Sequence, residues 1–356
     1  MEYLLSFILV VGIIILVHEL GHFLAARAVG IRVDRFSIGF GPKIVAVQRG
    51  ETEYRIAWVP LGGYVKMAGM IDESFDTEES EFDPEDPRLF INKKGWQKIL
   101  VISAGVIMNM ILAAVVLWGV YATRGIPTVP EQLETVIEAP VPGYPAAEAG
   151  LERGDRIVSV DGEPVKLWED LVDVIYARPD KEVTVEYERE GRIESVVLTT
   201  REERQPGSEV PVGKIGIGPL LEYEPVGAGK AFVYGWVATW SILKQTAQAI
   251  GMLVAGQASV KDLAGPVGIA KMTGDTAREG FGNLFELLAL ISVNIGFLNI
   301  LPVPALDGGH LVLILIEAVR RRPLSTRIKI WVQQIGMILL LALIAVVIFN
   351  DVMRLR

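Results

Sequence analysis

The sequence predicts an α-helical polytopic membrane protein with four transmembrane helices, an inserted β-rich domain outside the cytoplasm and a cytoplasmic β-hairpin region. The first observation is composition: 51% of the 356 residues are hydrophobic, and the mean hydropathy is +0.39. The second is that the apolar residues form long uncharged runs with the charged residues between them. The third is a long segment between the second and third runs that alternates apolar and polar residues, as strands do.

Four apolar runs are long enough to cross a bilayer, because a helix needs about 20 residues to span a hydrocarbon core of roughly 30 Å. The runs cover residues 3–28, 99–122, 287–316 and 330–350. A cleaved signal peptide is the alternative for the first run. However, no positive residue precedes that run, and no small-residue cleavage site follows it.

Basic residues in short loops predict the orientation, because loops rich in Lys and Arg stay in the cytoplasm. The turn between the third and fourth runs, at 320–329, holds four arginines and one lysine, whereas the leader before the first run holds neither. Both termini are therefore expected outside the cytoplasm. Residues 30–96 are then expected inside, and residues 124–284 outside.

The loops carry their own patterns. The inner segment predicts short strands at 31–38, 43–48, 53–59 and 61–67 with glycine turns between them. Residues 72–86 contain nine acidic residues and predict a solvated excursion. The outer segment predicts strands at 156–160, 183–187 and 195–198 and an amphipathic helix at 167–176.

Residues 226–256 combine aromatic and aliphatic residues with polar ones. A fifth span is one interpretation. An interfacial helix is favoured, because Lys244, Gln245 and Gln248 interrupt the apolar run near its middle.

Composition also excludes several classes of function. The net charge of −9 argues against a nucleic-acid partner, because neutralising phosphates needs a basic face. The chain has no cysteine, which excludes disulfides, thiol catalysis and cysteine-based zinc sites. Its three histidines are His18, His22 and His310.

The first apolar run contains an H-E-x-x-H pattern formed by His18, Glu19 and His22. Residues four apart share a helix face, so both imidazoles can reach one metal ion with Glu19 beside a metal-bound water. Such polar residues are costly in a membrane helix and are expected to face the bundle interior. The alternative is a neutral hydrogen-bonded cluster that only joins helices.

A catalytic zinc site needs a third protein ligand, and without cysteine the candidates are carboxylates or His310. Asp307 interrupts the third run within the sequence NILPVPALDGGH, where prolines and glycines break the helix. Broken backbone at membrane depth is tolerated where it lines a polar cavity. At roughly 1.5 Å per residue, Asp307 can lie at the depth of His18 and His22, near the cytoplasmic end.

These motifs together resemble the site-2 protease family of intramembrane zinc metalloproteases, of the bacterial regulator of sigma-E protease type. The resemblance rests on H-E-L-G-H in the first run and L-D-G-G-H after an N-x-x-P-x-P stretch, with G-F-G-P and L-G-G-Y-V-K-M between them. It covers nearly the whole chain. Residues 143–162 resemble a PDZ domain, and one such module is visible where some relatives carry two.

The resemblance implies a Zn²⁺ cofactor held by His18, His22 and Asp307, with Glu19 as the catalytic base. His310 stays open as a ligand in place of Asp307.

The resemblance also implies residues that contact substrate. Asn299, Pro302 and Pro304 would shape a substrate-contacting loop. The strands around Gly62 and Gly63 would offer an edge to an unwound substrate.

The implied activity is hydrolysis of peptide bonds in or near transmembrane segments, in the bacterial inner membrane, with the active site near the cytoplasmic side. The implied partners are the lipid bilayer and single-pass membrane proteins, such as an anti-sigma factor already cut outside or a remnant signal peptide. The PDZ domain would bind or exclude substrate ectodomains. Two alternatives are a catalytically silent PDZ-bearing scaffold, which need not keep Glu19, and a metal transporter, which would place ligands at several depths.

The expected domain boundaries follow from these patterns and the resemblance. They are 1–29 (first transmembrane helix), 30–96 (cytoplasmic loop), 97–124 (second helix), 125–206 (PDZ domain), 207–283 (region after the PDZ domain, with the interfacial helix), 284–320 (broken third helix), 321–329 (basic turn) and 330–350 (fourth helix).

Overall fold

The computed structural model divides the chain into two compact units. The membrane unit comprises Met1–Thr123, Gly227–Gly251 and Ser259–Arg356, and the β-rich unit comprises Arg124–Val226 and Met252–Ala258. The described residues are 2–70, 83, 85–128, 133–141, 143–204, 210–258 and 264–354. Twelve of the fifteen residues of the predicted acidic excursion at 72–86 therefore lie outside the described residues.

Helices dominate the membrane unit, and strands dominate the β-rich unit. The helices are α1 (Glu2–Ala28), α2 (Gly95–Arg124), α3 (Pro145–Glu148), α4 (Trp168–Tyr176), α5 (Ala228–Val254), α6 (Pro266–Glu279), α7 (Phe281–Ile300), α8 (Asp307–Arg320) and α9 (Thr326–Arg354). The strands are β1 (Val33–Arg49), β2 (Thr52–Met67), β3 (Ile126–Thr128), β4 (Arg156–Val160), β5 (Glu163–Pro164), β6 (Glu182–Arg189), β7 (Arg192–Thr199), β8 (Arg201–Arg204), β9 (Pro211–Lys214) and β10 (Glu222–Glu224).

Among the described residues, four helices are long and apolar enough to cross a membrane: α1, α2, α7 and α9. Each overlaps one of the four apolar runs of the sequence. The predicted fold class is thus confirmed in its coarser form, a helical protein with four candidate spans and a β-rich region.

The inner segment forms one curled antiparallel hairpin of β1 and β2. The sequence predicts four short strands, whereas the structure has two long ones, because register shifts between Val33 and Val45 absorb the Gly39–Pro42 segment without ending the strand. The first half of β1 is paired on both sides. The strand sections consequently lie in the order 43–49, 52–57, 33–38 and 63–67.

The third apolar run is divided between α7 and α8 by an irregular loop at residues 301–306. Pro302 and Pro304 cannot continue a helix, and Ala305 adopts a left-handed backbone with φ of 73°. The loop folds tightly onto the start of α8: a Cβ added at Gly308 would lie 2.1 Å from the carbonyl oxygen of Leu301. Glycine is therefore required at this turn.

The region favoured as an interfacial helix forms α5. Its Gly235 lies against α2, since an added Cβ there would be 2.8 Å from the carbonyl oxygen of Ala114. Further along, the Thr246 hydroxyl lies 2.6 Å from Oδ1 of Asn294 on α7. The long helix α5 therefore packs along two of the candidate spans.

Helix α6 has no counterpart among the predicted elements. The amides of Gly265 and Gly268 at its start donate to the buried Asp351 carboxylate of α9, at 3.1 and 2.9 Å. On α1, the Tyr3 hydroxyl donates to Asp275 of α6 at 2.8 Å. Helix α6 thus connects the first candidate span to the last.

The β-rich unit contains a four-stranded antiparallel sheet with the strand order β5-β4-β6-β7. Helix α4 covers this sheet with its buried Leu171 and Ile175. The core is completed by the fully buried side chains of Ile157 and Val183. Strands β4, β6 and β7 and helix α4 correspond to the strands and helix predicted for the outer segment.

One buried ion pair fastens the loop before β4 to the end of β6. Arg189 donates from Nε and Nη2 to the two carboxylate oxygens of Asp155, both at 2.7 Å, and Asp155 is 1% exposed. Burial alone would raise the pKa of the Asp155 carboxyl. Hydrogen bonds from Arg189 and from the amide of Glu152 outweigh burial and hold that pKa below its usual range.

Replacing Asp155 by Asn should destabilise the β-rich unit by about 2–3 kcal/mol at neutral pH, because the partly buried guanidinium of Arg189 loses its charged partner. The folded pKa of Asp155 lies below the unfolded one. The stabilisation is therefore complete above the unfolded pKa of about 3.9 and is lost as the pH falls through the folded pKa. Native-state hydrogen exchange of β4 and β6 amides in the full chain measures both effects.

The matched control is Glu138→Gln, which removes the exposed ion pair with Arg153. It should change stability by less than about 0.5 kcal/mol. Equal effects of the two variants would contradict the importance assigned to the buried pair.

Candidate metal centre and active site

Three side chains from distant parts of the chain meet inside the membrane unit. The Nε2 atoms of His18 and His22 lie 3.2 Å apart, and Oδ2 of Asp307 lies 3.2 and 3.3 Å from them. Both histidines are buried, and Asp307 is half-buried. Among the described residues, these three form the cluster of His, Asp and Glu side chains whose ligand atoms lie close enough together, within 4.8 Å, to bind one metal ion.

The local structure explains why these atoms converge. His18 and His22 are one helical turn apart on α1, so their rings project from the same face. Asp307 is the first residue of α8, directly after the broken loop. Because the helix is interrupted just before Asp307, the carboxylate lies beside the two histidines.

The donor atoms fit a zinc ion. Zinc bonds of 2.0–2.1 Å in a tetrahedron place neighbouring donor atoms about 3.3 Å apart, which matches the spacing of the three atoms. Oδ2 of Asp307 is buried and accepts no hydrogen bond from the described residues. Two imidazoles and one carboxylate form a donor set that suits zinc and leaves a fourth position open.

The structure also keeps space for an ion. Gly105 of α2 faces the two rings, and a Cβ added there would lie 2.4 Å from Nε2 of His22 and 2.7 Å from Nε2 of His18. Any larger residue would fill the space between the donor atoms. Glycine at this position is therefore a requirement of the site.

Hydrogen bonds orient the imidazoles. Nδ1 of His22 donates to the carbonyl oxygen of Val101 at 2.8 Å. This bond places the proton on Nδ1 and leaves the lone pair of Nε2 available. Nδ1 of His18 contacts the side-chain amide of Asn109 at 3.2 Å, and the amide of Asn299 lies 3.4 Å from Nε2 of His18.

A cavity of about 890 Å³ opens beside the cluster. Its walls include Glu19 of α1, several apolar residues of α9 and the end of β2. A Cβ added at Gly63 would lie 2.9 Å from Cγ of Glu19, so the end of β2 reaches this carboxylate side chain. The cavity therefore joins a possible base, a possible metal site and a strand edge.

A cationic group also lines the cavity. Arg55 of β2 donates from Nε to the Ser37 hydroxyl at 3.2 Å and from its guanidinium to the Tyr64 hydroxyl. Arg35, which also donates to Tyr64, is paired with Glu53 at 2.7 Å. The hydrogen bond from Arg35 lowers the pKa of Glu53, so this carboxylate stays charged.

The residues expected to contact substrate divide into two groups. Asn299, Gly62 and Gly63 line the cavity. Within the described part of the chain, Pro302 and Pro304 are not among the lining residues. These prolines shape the loop that leads to Asp307, which is a structural contribution.

His310 lies outside the three-atom cluster. Its ring contacts Nε2 of Gln333 at 3.0 and 3.3 Å, and Oε1 of Gln333 accepts the amide of Ala305 at 2.7 Å. Nearby on α9, a Cβ added at Gly336 would lie 2.3 Å from Cβ of Pro304. Helix α9 therefore holds the loop that carries Asp307.

Sequence reasoning missed the contribution of α2. Val101, Gly105 and Asn109 occupy one face of this helix at spacings of four residues. An asparagine in an apolar helix often only hydrogen-bonds to a neighbouring helix, and Val101 and Gly105 carry no chemical signal of their own. The four-residue spacing of a glycine and an asparagine in an apolar span was the one available hint.

Replacing Gly105 by Ala should abolish zinc binding, because the added methyl group would occupy the space between the Nε2 atoms. We expect at least a 100-fold loss of affinity, measured by chelator competition and by the zinc content of purified protein. Gly119→Ala is the control on the same helix, since an added Cβ there meets nothing within 4 Å. Full zinc content in Gly105→Ala would contradict the proposed location of the ion.

Comparisons with known proteins identify the family of the chain. The profile of Peptidase family M50 matches residues 6–343. The chain is 33% identical to the zinc metalloprotease RasP of Bacillus licheniformis, with 100% of both chains covered. It is also 33% identical to the regulator of sigma-E protease RseP of Escherichia coli, with 99% of this chain and 98% of the relative covered.

A solved structure resembles part of the chain. The PDZ domain of an SdrC-like protein from Listeria monocytogenes is 21% identical, covers 26% of this chain and 93% of its own, and has a TM-score of 0.21.

The resemblance to site-2 proteases, the metallopeptidase activity and the zinc cofactor expected from the sequence are thus confirmed. The family profile and the full-length relatives together show that this chain belongs to peptidase family M50, the site-2 protease family of zinc metalloproteases.

Proposed function

We propose that this enzyme hydrolyses peptide bonds in or near the transmembrane segments of single-pass membrane proteins. The main support is the position of the His18, His22 and Asp307 cluster, which lies among helices that can span a membrane and opens into a cavity with Glu19. All three donor atoms lie at one level. That arrangement favours catalysis over transport, which would need ligands along a path.

In the proposed reaction, His18, His22 and Asp307 hold the zinc ion. When bound, zinc supplies Lewis-acid polarisation of the scissile carbonyl and activates water for attack. Glu19 accepts the proton of the attacking water on its carboxylate and passes it to the leaving nitrogen. Asn299, whose amide lies beside His18 and lines the cavity, is proposed to donate to the substrate near the scissile bond.

A transmembrane helix must unwind before its carbonyl carbon can be attacked. The released backbone groups would cost several kcal/mol each in an apolar environment. The 63–67 section of β2, including Gly63, lies at one end of the strand order and lines the cavity. We propose that the unwound substrate pairs with this section and keeps its backbone hydrogen-bonded.

The location is proposed to be the bacterial inner membrane, with both termini outside and the active site near the cytoplasm. The basic turn between α8 and α9 supports this orientation. His18 lies about 24 Å along α1 from its start, at 1.5 Å per residue, which is close to the cytoplasmic end.

The proposed substrates are an anti-sigma factor already cut outside and remnant signal peptides. The relative from Escherichia coli is named a regulator of sigma-E protease, which supports the first of these. The β-rich unit, proposed to be a PDZ domain, is expected to meet the outer part of the substrate and to bind or exclude it.

Replacing Glu19 by Gln should leave the zinc content unchanged and lower the cleavage rate by about 10²–10⁴-fold, because a positioned base contributes that much. The measurement is cleavage of a labelled anti-sigma transmembrane segment in liposomes, together with metal analysis of the same preparation. Undiminished cleavage would reject Glu19 as the base.

Replacing Asp307 by Ala should remove zinc, whereas replacing His310 by Ala should leave zinc bound, because His310 contacts Gln333 outside the cluster. Metal analysis of both purified variants decides between the two candidate ligands. Zinc retained by Asp307→Ala and lost by His310→Ala would exchange their roles. Loss of zinc from His18→Ala serves as the positive control.

A further inference from the structure

One face of α2 lies against both imidazoles of the metal centre. Val101, Gly105 and Asn109 are four residues apart and therefore share that face. Gly105 leaves space for the ion, as described above. The residues one turn to either side of it contact the Nδ1 atoms of the two rings, His22 through Val101 and His18 through Asn109.

The His22 contact has only one possible direction. A carbonyl oxygen can only accept, so Nδ1 of His22 carries the proton that Val101 accepts at 2.8 Å. A neutral imidazole has one N–H, and its other nitrogen then keeps a lone pair. His22 is thereby held in the form that can bind a metal through Nε2.

The His18 contact involves an amide, which can donate or accept. Nδ2 of Asn109 lies 3.2 Å from Nδ1 of His18. Asn109 is fully buried, and its Oδ1 has no hydrogen-bond partner among the described residues. If Nδ2 donated to Nδ1, the ring proton would have to sit on Nε2, the atom that faces Asp307 and His22.

We propose that Asn109 is a positioning residue of the metal centre, whose amide oxygen accepts the Nδ1 proton of His18. A half-turn of the amide exchanges its oxygen and nitrogen at the same heavy-atom positions. This rotation gives the buried oxygen a partner and leaves the lone pair of His18 Nε2 directed at the ion. The inference rests on the ligand set of the proposed function.

The surroundings fix the backbone of Asn109. The Ser292 hydroxyl of α7 donates to the carbonyl oxygen of Asn109 at 2.9 Å. A Cβ added at Gly296, one turn further along α7, would lie 3.3 Å from Cβ of Asn109. Helix α7 therefore packs closely against this part of α2, and this packing fixes the position of the Asn109 amide relative to His18.

The test compares variants that keep or remove the acceptor oxygen. Asn109→Asp keeps an oxygen toward Nδ1 in a side chain of the same shape, whereas Asn109→Leu keeps the volume but cannot accept. We expect Asn109→Leu to bind zinc about 10–100-fold more weakly, the usual effect of losing a partner of a metal ligand. Asn109→Asp should bind zinc at least as tightly as the wild type.

Zinc affinity is measured by chelator competition on the full chain in detergent, and the visible absorption of the Co²⁺-substituted protein reports the ligand geometry. Asn109→Leu should change the Co²⁺ spectrum, and Asn109→Asp should preserve it. Ser292→Ala is the control, because it removes a bond to the Asn109 backbone and leaves the amide in place. Asn109→Ala, which also lacks the acceptor, replaces Asn109→Leu if that variant does not fold.

Wild-type affinity in Asn109→Leu, or equal losses in the Leu and Asp variants, would overturn the inference. A loss in Ser292→Ala as large as that in Asn109→Leu would do the same, because packing of α2 would then explain the effect. These outcomes leave the proposed function intact if the wild type binds zinc and cleaves. Zinc retained by His18→Ala would instead reject the ligand set itself.

Discussion

The structure of the membrane unit depends on keeping three polar side chains together where the surroundings are apolar. His18, His22 and Asp307 would be costly there separately, and a shared cation compensates all three. Two neighbouring elements fit this requirement. Helix α2 must approach closely, which explains Gly105, and the third apolar run must break, which explains the prolines before Asp307.

The same region contains two elements that peptide hydrolysis in a membrane needs: a base for the attacking water and a strand edge that can pair with the unwound substrate. The carboxylate of Glu19 and the backbone of Gly63 are neighbours, so the proposed base and the proposed pairing edge border one cavity. A backbone held along that edge would be presented beside Glu19. Curling of the hairpin makes this possible, because it brings the 63–67 section to one end of the strand order.

The sequence predicts the parts of the site that rest on local periodicity and on residue chemistry. The H-E-x-x-H spacing places His18 and His22 on one helix face. The prolines and glycines around Asp307 indicate that the third run breaks there. The contributions of α2 depend on which face of that helix meets α1, and an apolar run does not reveal this. Helix α6 escapes prediction for a similar reason, since its start is capped by Asp351, which is distant in the sequence.

The loop before Asp307 is held in place by the last helix, α9, as well as by its own flanking helices. The side chain of Gln333 accepts a hydrogen bond from the amide of Ala305, and the close packing of Pro304 on Gly336 fixes the same loop. Residues of α9 just beyond this attachment form a wall of the cavity. If a substrate helix displaced α9 sideways on entering the cavity, the loop would move with α9 and shift the carboxylate of Asp307. Substrate entry and the coordination of the ion would therefore be coupled.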